Sequence, residues 1–478
     1  MKNIESNKMK KLFITTALMC MVTFTYAQKA ELDAAQKALD KKDYNTALSQ
    51  AQKGESILKS DGDANSDLVA KAMYIIGMAK LNLAGDNIPQ IKEALQYLTS
   101  LADYESGKDY TARNNDTKKT VSFDSQKALD DAVMSGKYSK PKVSNRTKTY
   151  TPKMVTAIGE AGNGYYQKSI NAYNSQQFKE AASLFELTYE AQRIFAPKAD
   201  TALLNNAATC MIQARDYSAA KEYYKKLLAM GYTGVETIYE AMDELTGQRK
   251  VYASQKEMDA QVKLKLATDP TVRVETNKQP ELYLTLMQIL YQEDHYDEAL
   301  KYGEEALAKF PENKDIFLLV GQIYYQKGDL DKFLENLLAA AKVFPNDAEI
   351  QYNLGYVYSE KHDVANAMAH YTKAIEIDPK YANAYINYAS ALLDDEARIN
   401  EEIDKLPFTL NAAQKKQYDA LIEQKKEMYK KVAEVLEKGY KEVPDNVSIV
   451  RILKNVYAGL GDDANMKKYE AVEKSLME

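Results

Sequence analysis

The sequence predicts an all-α protein in which helical hairpins stack side by side as a solenoid. Pro311, Pro345 and Pro379 follow one another at a constant interval. Before each proline, apolar residues recur three and four positions apart, which is the spacing of an amphipathic helix. Of the 478 residues, 45% are apolar and only 11 are proline, so the chain is long enough for many such hairpins.

Residues 348–381 show the hairpin most clearly. Leu354 and Tyr358 belong to one apolar face, Tyr371 and Ile375 belong to a second, and a short polar turn separates the two. Small residues are expected where the antiparallel helices cross, and proline ends the second helix because it has no N–H to donate. The small and proline positions that we take as structural marks of the repeats are Gly321, Gly355, Ala299, Ala367, Ala306, Ala340, Ala374, Pro311, Pro345 and Pro379.

This order of small, aromatic and proline positions resembles the tetratricopeptide repeat (TPR), a helix–turn–helix unit whose length equals the interval between the prolines. The resemblance implies a right-handed superhelical solenoid, with a concave groove that is lined by the first helix of each repeat and binds a protein or peptide. One departure is Phe333, which stands where Ala299 and Ala367 stand in the neighbouring repeats. The tyrosine-rich array and its inserts are also similar to exported TPR proteins of Gram-negative bacteria.

The first 27 residues predict a cleaved signal peptide. Lysines precede an apolar run, Leu12–Phe24, which is shorter than the roughly 20 residues that a membrane span needs. Small residues follow, so we expect the mature chain to begin at Gln28 and to have no transmembrane span. The expected location is the periplasm or the periplasmic face of the outer membrane. The true start is either Met1 or Met9.

The mature chain divides into five predicted parts by its apolar periodicity. Two hairpins with weak repeat marks come first, and polar residues then dominate up to Thr151, with at most a short helix over Gln126–Met134. Later, Gly247 ends a repeat early, and Ser254 with Glu257 forms a capping box for a helix to about Ala267. The parts are 28–104, degenerate TPR-like hairpins; 105–151, a polar basic linker; 152–232, a TPR array; 233–279, an insertion with a small β-hairpin or loop; and 280–478, a C-terminal TPR array.

A long helical arm is expected within the C-terminal array, at about 395–430. The repeat that begins near Ala384 has its second helix much later in sequence than the other repeats do, and the intervening sequence keeps a helical spacing of Leu421, Met428 and Val432. We therefore expect both helices of this repeat to be prolonged into an antiparallel pair.

Charge and composition exclude some partners. The formal net charge of −6 argues against nucleic acid as the main partner. One local exception is the stretch 137–153, which has no acidic residue. It is either a solvated linker or a contact with an anionic surface or an acidic partner. Its basic residues are Lys137, Lys140, Lys142, Arg146, Lys148 and Lys153.

No pattern of catalytic or metal-binding residues occurs in the sequence. A glycine-rich phosphate loop, HExxH, GxSxG and paired CxxC are all absent. His295 and His362 fall in predicted turns, and the spacing of His370 supplies no further ligands. Cys210 lies among small apolar residues, so we expect a buried packing role. The sequence therefore predicts a protein that is not an enzyme, with no metal and no cofactor.

Polar and aromatic residues alternate with core positions on the predicted first helices. Tyrosine offers a large contact area with a polar tip, and asparagine can both donate to and accept from a peptide backbone. The TPR proteins that clamp a terminal carboxylate use lysine and arginine, whereas Leu284, Leu318, Tyr352 and Ile386 stand at those positions here. The predicted groove residues are Tyr291, Gln322, Tyr325, Tyr352, Asn353, Tyr356 and Asn387.

Two functional hypotheses follow. The first is a non-catalytic scaffold or adaptor in the cell envelope that binds a peptide or protein segment in this groove. The alternative is an accessory subunit that holds a peptide or glycan for an exported enzyme or nutrient-uptake system. A packing role for the groove tyrosines, and the arm as the binding surface, remain open. Tyr352 and Tyr356 lie outside the structural marks, so we expect their replacement by alanine to leave folding intact.

Overall fold

The structure is a computed structural model that describes residues 29–61, 66–196 and 198–478, so the predicted signal peptide lies outside it. The chain forms two compact units, which meet in sequence between Tyr232 and Thr233. Among the described helices, none is both long enough and apolar enough to cross a bilayer. The predicted all-α architecture of stacked hairpins is confirmed, with two small sheets inserted into it.

Unit 1 consists of helical hairpins with one inserted sheet. Its hairpins are α1–α2, α3–α4, α6–α7 and α8–α9. Its elements are α1 (29–40), α2 (Tyr44–Asp61), α3 (Ser66–Leu83), α4 (Ile88–Glu105), β1 (Lys108–Asn114), β2 (Thr120–Phe123), α5 (Gln126–Met134), β3 (Tyr138–Asn145), α6 (Thr151–Asn174), α7 (Phe178–Phe195), α8 (Ala202–Gln213) and α9 (Tyr217–Ala229).

Unit 2 begins with a second inserted sheet and continues as hairpins. These hairpins are α11–α12, α13–α14, α15–α16, α17–α19 and α20–α21. The elements are β4 (Thr237–Asp243), β5 (Arg249–Tyr252), α10 (Gln255–Lys263), β6 (Ala267–Val274), α11 (Gln279–Gln292), α12 (Tyr296–Lys309), α13 (Lys314–Gln326), α14 (Leu330–Val343), α15 (Ala348–Glu360), α16 (Val364–Ile377), α17 (Ala382–Leu392), α18 (Glu396–Asp404), α19 (Ala412–Glu442), α20 (Val447–Leu460) and α21 (Asp463–Met477).

Close helix packing holds each hairpin together. A Cβ atom added to Gly355 on α15 would lie 2.6 Å from the ring of Tyr371 on α16, and that ring is fully buried. In the preceding repeat, Gly321 leaves room instead for Phe333, whose ring would be 3.0 Å from an added Cβ. Phe333 therefore fits in place of the usual alanine because Gly321 leaves room for its ring, as Gly355 does for the ring of Tyr371.

The alanine and proline marks lie where helix geometry requires them. The alanine marks are fully buried, which allows the neighbouring helix to approach closely. Helices α12, α14 and α16 each end shortly before a proline mark, and the one intervening residue forms the C-cap. These marks are Ala299, Ala306, Ala340, Ala367, Ala374, Pro311, Pro345 and Pro379.

The prediction of a linker over 105–151 is wrong, because most of this segment is a folded module. Strands β2, β1 and β3 form an antiparallel sheet in that order, and α5 packs against it with Leu129 buried. We call β1, β2, α5 and β3 (residues 108–145) module A. The helix over Gln126–Met134 is confirmed. The strands leave little signal in the sequence, because only scattered residues such as Ala112 are buried and apolar alternation is therefore weak.

A buried carboxylate connects the helix before module A to the helix after it. Glu105, at the end of α4, is 1% exposed and accepts hydrogen bonds from the backbone N–H groups of Thr149, Tyr150 and Thr151 at 2.8–2.9 Å. The hydroxyl of Thr151 also donates to it, at 2.6 Å. These bonds satisfy N–H groups at the start of α6, and the carboxylate lies where the helix dipole favours negative charge.

The insertion over 233–279 is larger than the predicted hairpin or loop. Strands β4 and β5 form the hairpin, and β6 adds a third antiparallel strand on the other side of β4. We call β4, β5, α10 and β6 (residues 237–274) module B. Helix α10 begins after the predicted cap Ser254 but ends at Lys263, because Lys265 has a positive φ of 59° and β6 starts at Ala267.

Modules A and B are two copies of one structure. Each strand and helix of module B has the same length as its counterpart in module A. Every element of module B also begins the same number of residues after its counterpart, as Thr237 does after Lys108. Both have the first strand in the middle of the sheet, and both have a register shift at the same point, after Thr111 and after Glu240. The residue pairs with positive φ also correspond: Gly136 with Lys265, Lys118 with Gly247, and Lys140 with Asp269.

The arm consists of two helices of unequal length. Helix α19 has 31 residues, whereas α17 ends at Leu392 and the short helix α18 follows it separately. Helix α18 contacts α19, and Ile399 on α18 and Leu421 and Met428 on α19 are buried. Only the second helix of this repeat is therefore prolonged, and the expectation that both are prolonged is wrong.

We predict that Gly355→Ala destabilises the protein by about 1–3 kcal/mol, because the new methyl group must displace the buried ring of Tyr371. The matched control is Gly164→Ala on α6, where an added Cβ has no atom within 4 Å. That change should raise stability by up to about 1 kcal/mol through helix propensity. Thermal unfolding followed by circular dichroism checks both, and equal midpoints for the two variants would contradict the packing described above.

Candidate functional site

The predicted groove residues lie on the first helices of four successive repeats in unit 2. We call this set the strip. Tyr291 is on α11, Gln322 and Tyr325 are on α13, the next three are on α15, and Asn387 is on α17. The strip is formed by Tyr291, Gln322, Tyr325, Tyr352, Asn353, Tyr356 and Asn387. The sequence reasoning placed them by their alternation with core residues such as Leu354 and Gly355, which are buried.

Three side-chain contacts connect the strip from repeat to repeat. Gln322 Nε2 donates to the hydroxyl of Tyr291 at 3.3 Å. The hydroxyls of Tyr325 and Tyr356 are 2.7 Å apart. The remaining contact, between the side chains of Tyr352 and Asn387, joins α15 to α17. Each contact joins the first helix of one repeat to the first helix of the next, so the strip is continuous along α11, α13, α15 and α17.

Tyr325 and Tyr356 meet in the middle of the strip, where Tyr325 is exposed and Tyr356 is half-buried. Their rings meet edge to face with centroids 5.7 Å apart, and Tyr325 is 39% exposed. Burial, then the hydrogen bond with Tyr325 and the charge of Glu360, raise the pKa of Tyr356 well above its ordinary value. The phenol of Tyr356 is therefore neutral at physiological pH and keeps its hydrogen-bonding capacity. The ring of Tyr325 also contacts the ring of Phe333, and the two ring centroids are 5.8 Å apart.

Tyr352 has a second role in packing that the sequence did not reveal. Its ring lies 5.9 Å from that of Tyr371 and 5.2 Å from that of Tyr381, between centroids. Asn387 Nδ2 donates to its hydroxyl at 3.0 Å. Tyr356 likewise packs against the core cluster that includes Leu354. Each ring covers part of a repeat core, so the packing predicts that removal of either ring lowers stability, in contrast to the expectation from the sequence.

Gln322 and Asn353 contribute the amide groups on the middle helices of the strip. Gln322 is exposed, and Asn353 is half-buried. Among the residues that the structure describes, Asn353 makes no side-chain hydrogen bond. Its amide therefore has both a donor and an acceptor for a peptide backbone.

The positions that a carboxylate clamp would use are not basic in this protein. Leu284, Leu318 and Ile386 are half-buried, and Tyr352 has the packing role described above. Lys314, at the start of α13, contacts the carboxylates of Asp347 and Glu349 at 3.1 and 3.0 Å. The strip is therefore suited to aromatic and amide contacts rather than to a free carboxylate.

Side chains outside the strip that could act in catalysis or metal binding are packed within the fold. His370 stacks on Tyr358 with centroids 5.4 Å apart, its Nδ1 is 2.8 Å from Gln351 Oε1, and burial lowers its pKa. Cys210 is buried, and burial raises the pKa of its thiol to about 11. No group of three or more His, Cys, Asp or Glu side chains in the described parts of the chain could hold a metal ion.

Family profiles identify the repeats. Three tetratricopeptide repeat profiles match the sequence, at residues 277–354, 348–381 and 370–419. These residues are tetratricopeptide repeats. The matched region includes every residue of the strip, so the strip lies within TPR first helices as the resemblance implied. TPRs are in general protein-binding scaffolds without catalytic groups of their own.

The comparison with curated proteins found no match. Among solved structures, MamA is 18% identical, covering 42% of this chain and 92% of its own, with a TM-score of 0.31. YrrB, described as a TPR protein with an unusual peptide-binding site, is 17% identical, covering 49% of this chain and 96% of its own, with a TM-score of 0.30. The C-terminal part of a TPR repeat-containing protein from Cytophaga hutchinsonii is 15% identical, covering 64% and 98%, with a TM-score of 0.33.

We predict that Tyr352→Ala lowers stability by about 2 kcal/mol, because the half-buried ring no longer fills the space between Tyr371 and Tyr381. The control Tyr352→Phe keeps the ring and removes only the hydrogen bond from Asn387, at a cost of about 1 kcal/mol. Thermal unfolding separates the two effects. A loss that is the same for both variants would assign the stabilisation to the hydroxyl instead of the ring.

Proposed function

We propose that this protein is a non-catalytic adaptor of the cell envelope that binds an extended peptide or protein segment along the strip. The observation that supports this most directly is the continuity of the strip, in which contacts between successive first helices join aromatic and amide side chains. A segment laid across α11, α13, α15 and α17 would meet a polar aromatic surface at every repeat. That arrangement suits recognition of a chain longer than one repeat.

Each class of side chain in the strip has a defined part in this binding. Tyr325 offers an exposed ring for contact with an apolar side chain of the partner and a phenol for a hydrogen bond. Asn353 can pair with a peptide bond through both its donor and its acceptor. Tyr352 and Tyr356 hold these residues in place, since their rings pack between repeats. The partner would therefore find a largely preformed site, which reduces the entropic cost of binding.

The predicted signal peptide supports the location that we propose. The predicted leader has the three regions of a signal peptide, and cleavage after Ala27 would release the chain to the periplasm or to the periplasmic face of the outer membrane. A contact of the stretch 137–153 with an anionic surface, one of the two alternatives that the sequence leaves open, belongs to this proposal too. Lys137, just before β3 of module A, and Lys140 and Lys142 within it are exposed, whereas Arg146 is engaged with Asp109.

We predict that Tyr325→Ala combined with Asn353→Ala weakens partner binding about tenfold or more, since interface aromatics often contribute about 1–2 kcal/mol each. Folding should be retained, because Tyr325 is exposed and Asn353 is only half-buried. The measurement is a quantitative pull-down after mild cross-linking, followed by titration with the partner it identifies. Tyr217→Ala is the matched control, because this tyrosine is exposed to a similar degree but lies on α9 of unit 1.

Two results of that experiment would contradict the strip. If the double variant binds the same partner with unchanged affinity, the strip is not the binding surface, and the arm formed by α18 and α19 becomes the surface to test. If enrichment occurs only on glycan resins, the protein is instead a holder of substrate for another exported system.

We predict that the protein isolated from its own cells begins at Gln28, because Thr25, Tyr26 and Ala27 match the small-residue pattern that signal peptidase cleaves. Intact-mass measurement gives the N-terminus directly. A retained leader, or a lipid adduct on Cys20, would contradict the proposed export route.

A further inference from the structure

Three leucines project from one end of module B. Leu245 lies in the turn between β4 and β5 and is 93% exposed, while Leu264 and Leu266 lie between α10 and β6 and are 65% and 54% exposed. The two turns are neighbours, because the backbone N–H of Glu244 donates to the carbonyl of Leu266 at 3.0 Å. We call residues 244–248 and 263–266 the leucine tip. Large apolar side chains that cluster in water often mark an interaction site.

Module A shows that the fold does not require these leucines. At the counterpart positions, given by the constant offset between the modules, module A has Asp116, Ser135 and Lys137. The bond that joins the two turns is also present there, from the backbone N–H of Asn115 to the carbonyl of Lys137 at 2.9 Å. The same scaffold therefore folds with polar or charged residues at all three positions, so the fold of the module does not require leucine there.

The core of module B is complete without the tip. Ala241, Tyr252, Met258 and Ala267 form its buried cluster, with Tyr239 and Val262 partly buried against it. The turn after β4 is held by Asp243, whose carboxylate accepts from the N–H groups of Leu245 and Thr246 at 3.1 and 2.9 Å. Asn114 accepts from the matching turn in module A, so the turn geometry does not depend on leucine either.

The chemistry around the leucines indicates what covers them. Lys263 and Lys265 alternate with Leu264 and Leu266 and are exposed, and Glu244 is an exposed acid beside them. The carboxylate of Asp243 is occupied by its own turn. Leucines on the apices of two turns form a convex tip rather than a groove. A lipid surface accepts such a tip without any matching shape, since apolar side chains enter the interface while lysines extend to anionic headgroups.

The corresponding end of module A is basic instead of apolar. Lys118 and Lys137 are exposed there, where module B has Gly247 and Leu266. The two copies of the module therefore differ at this end, which has lysines in module A and leucines beside lysines in module B.

We propose that the leucine tip of module B docks on an anionic lipid surface, with Leu245, Leu264 and Leu266 entering the interface and Lys263 and Lys265 contacting the headgroups. This docking is separate from peptide binding by the strip and does not depend on it. It would hold the adaptor at a membrane while the strip stays available to its partner.

The test replaces the tip with the residues that module A already uses, as Leu245→Asp, Leu264→Ser and Leu266→Lys in one chain. Wild type and variant are sedimented with vesicles of phosphatidylcholine alone and of phosphatidylcholine with phosphatidylglycerol. The matched control is Val274→Asn, because Val274 is 62% exposed at the opposite end of β6 and module A has Asn145 there. All chains share the same N-terminus, so differences between them report on the tip.

We expect the wild type to partition at least tenfold more onto the phosphatidylglycerol vesicles than the triple variant does. Val274→Asn and Tyr325→Ala should bind like the wild type, and added salt should weaken binding. Equal thermal midpoints would show that the triple variant is folded. The proposal is overturned if the triple variant binds the vesicles as well as the wild type, or if the wild type binds none. It is also overturned if the substitutions change only self-association, measured by light scattering, because the tip would then join copies of this chain.

Discussion

The rest of this structure depends on one kind of contact, in which two antiparallel helices approach each other closely at a glycine. Gly355 on α15 admits the ring of Tyr371, Gly321 on α13 admits Phe333, and Gly439 on α19 admits the buried Tyr385. A protein interior has little free volume, so a glycine and its partner ring determine the spacing of their helices together. The first helices of successive repeats then lie close enough for side chains such as Tyr325 and Tyr356 to meet.

The same packing limits how freely the candidate binding surface can change. Tyr352 is half-buried between Tyr371 and Tyr381 and still lies on the strip. A residue that both packs in the core and lies on the binding surface cannot be replaced without a change in stability. Tyr325 is exposed and Asn353 is half-buried, so their replacement should affect stability less. Specificity in this kind of solenoid would therefore reside mainly in residues at the edge of the packed rings.

The two inserted modules share one core and one set of turns but differ in their exposed residues. Their cores match in position, with Ala112 and Leu129 in one and Ala241 and Met258 in the other, and their turns have the same conformations. Their exposed ends differ, because no packing constraint acts on a side chain in water. The segment Ser125-Gln126-Lys127 recurs as Ser254-Gln255-Lys256, so a comparison of the sequence with itself at the offset between these two segments would have found the duplication.

The sequence by itself determined the repeats, their small and proline marks, and the positions of the strip on the first helices. These features depend on contacts between residues that are close in sequence, and such contacts impose a regular period. Only the tertiary structure decided that residues 108–145 form a sheet and that Tyr352 is partly a packing residue. Strand pairing such as Lys108 with Asn145, and the contact of Tyr352 with Tyr381 at the far end of its repeat, join residues that are well separated in sequence and leave no period to detect.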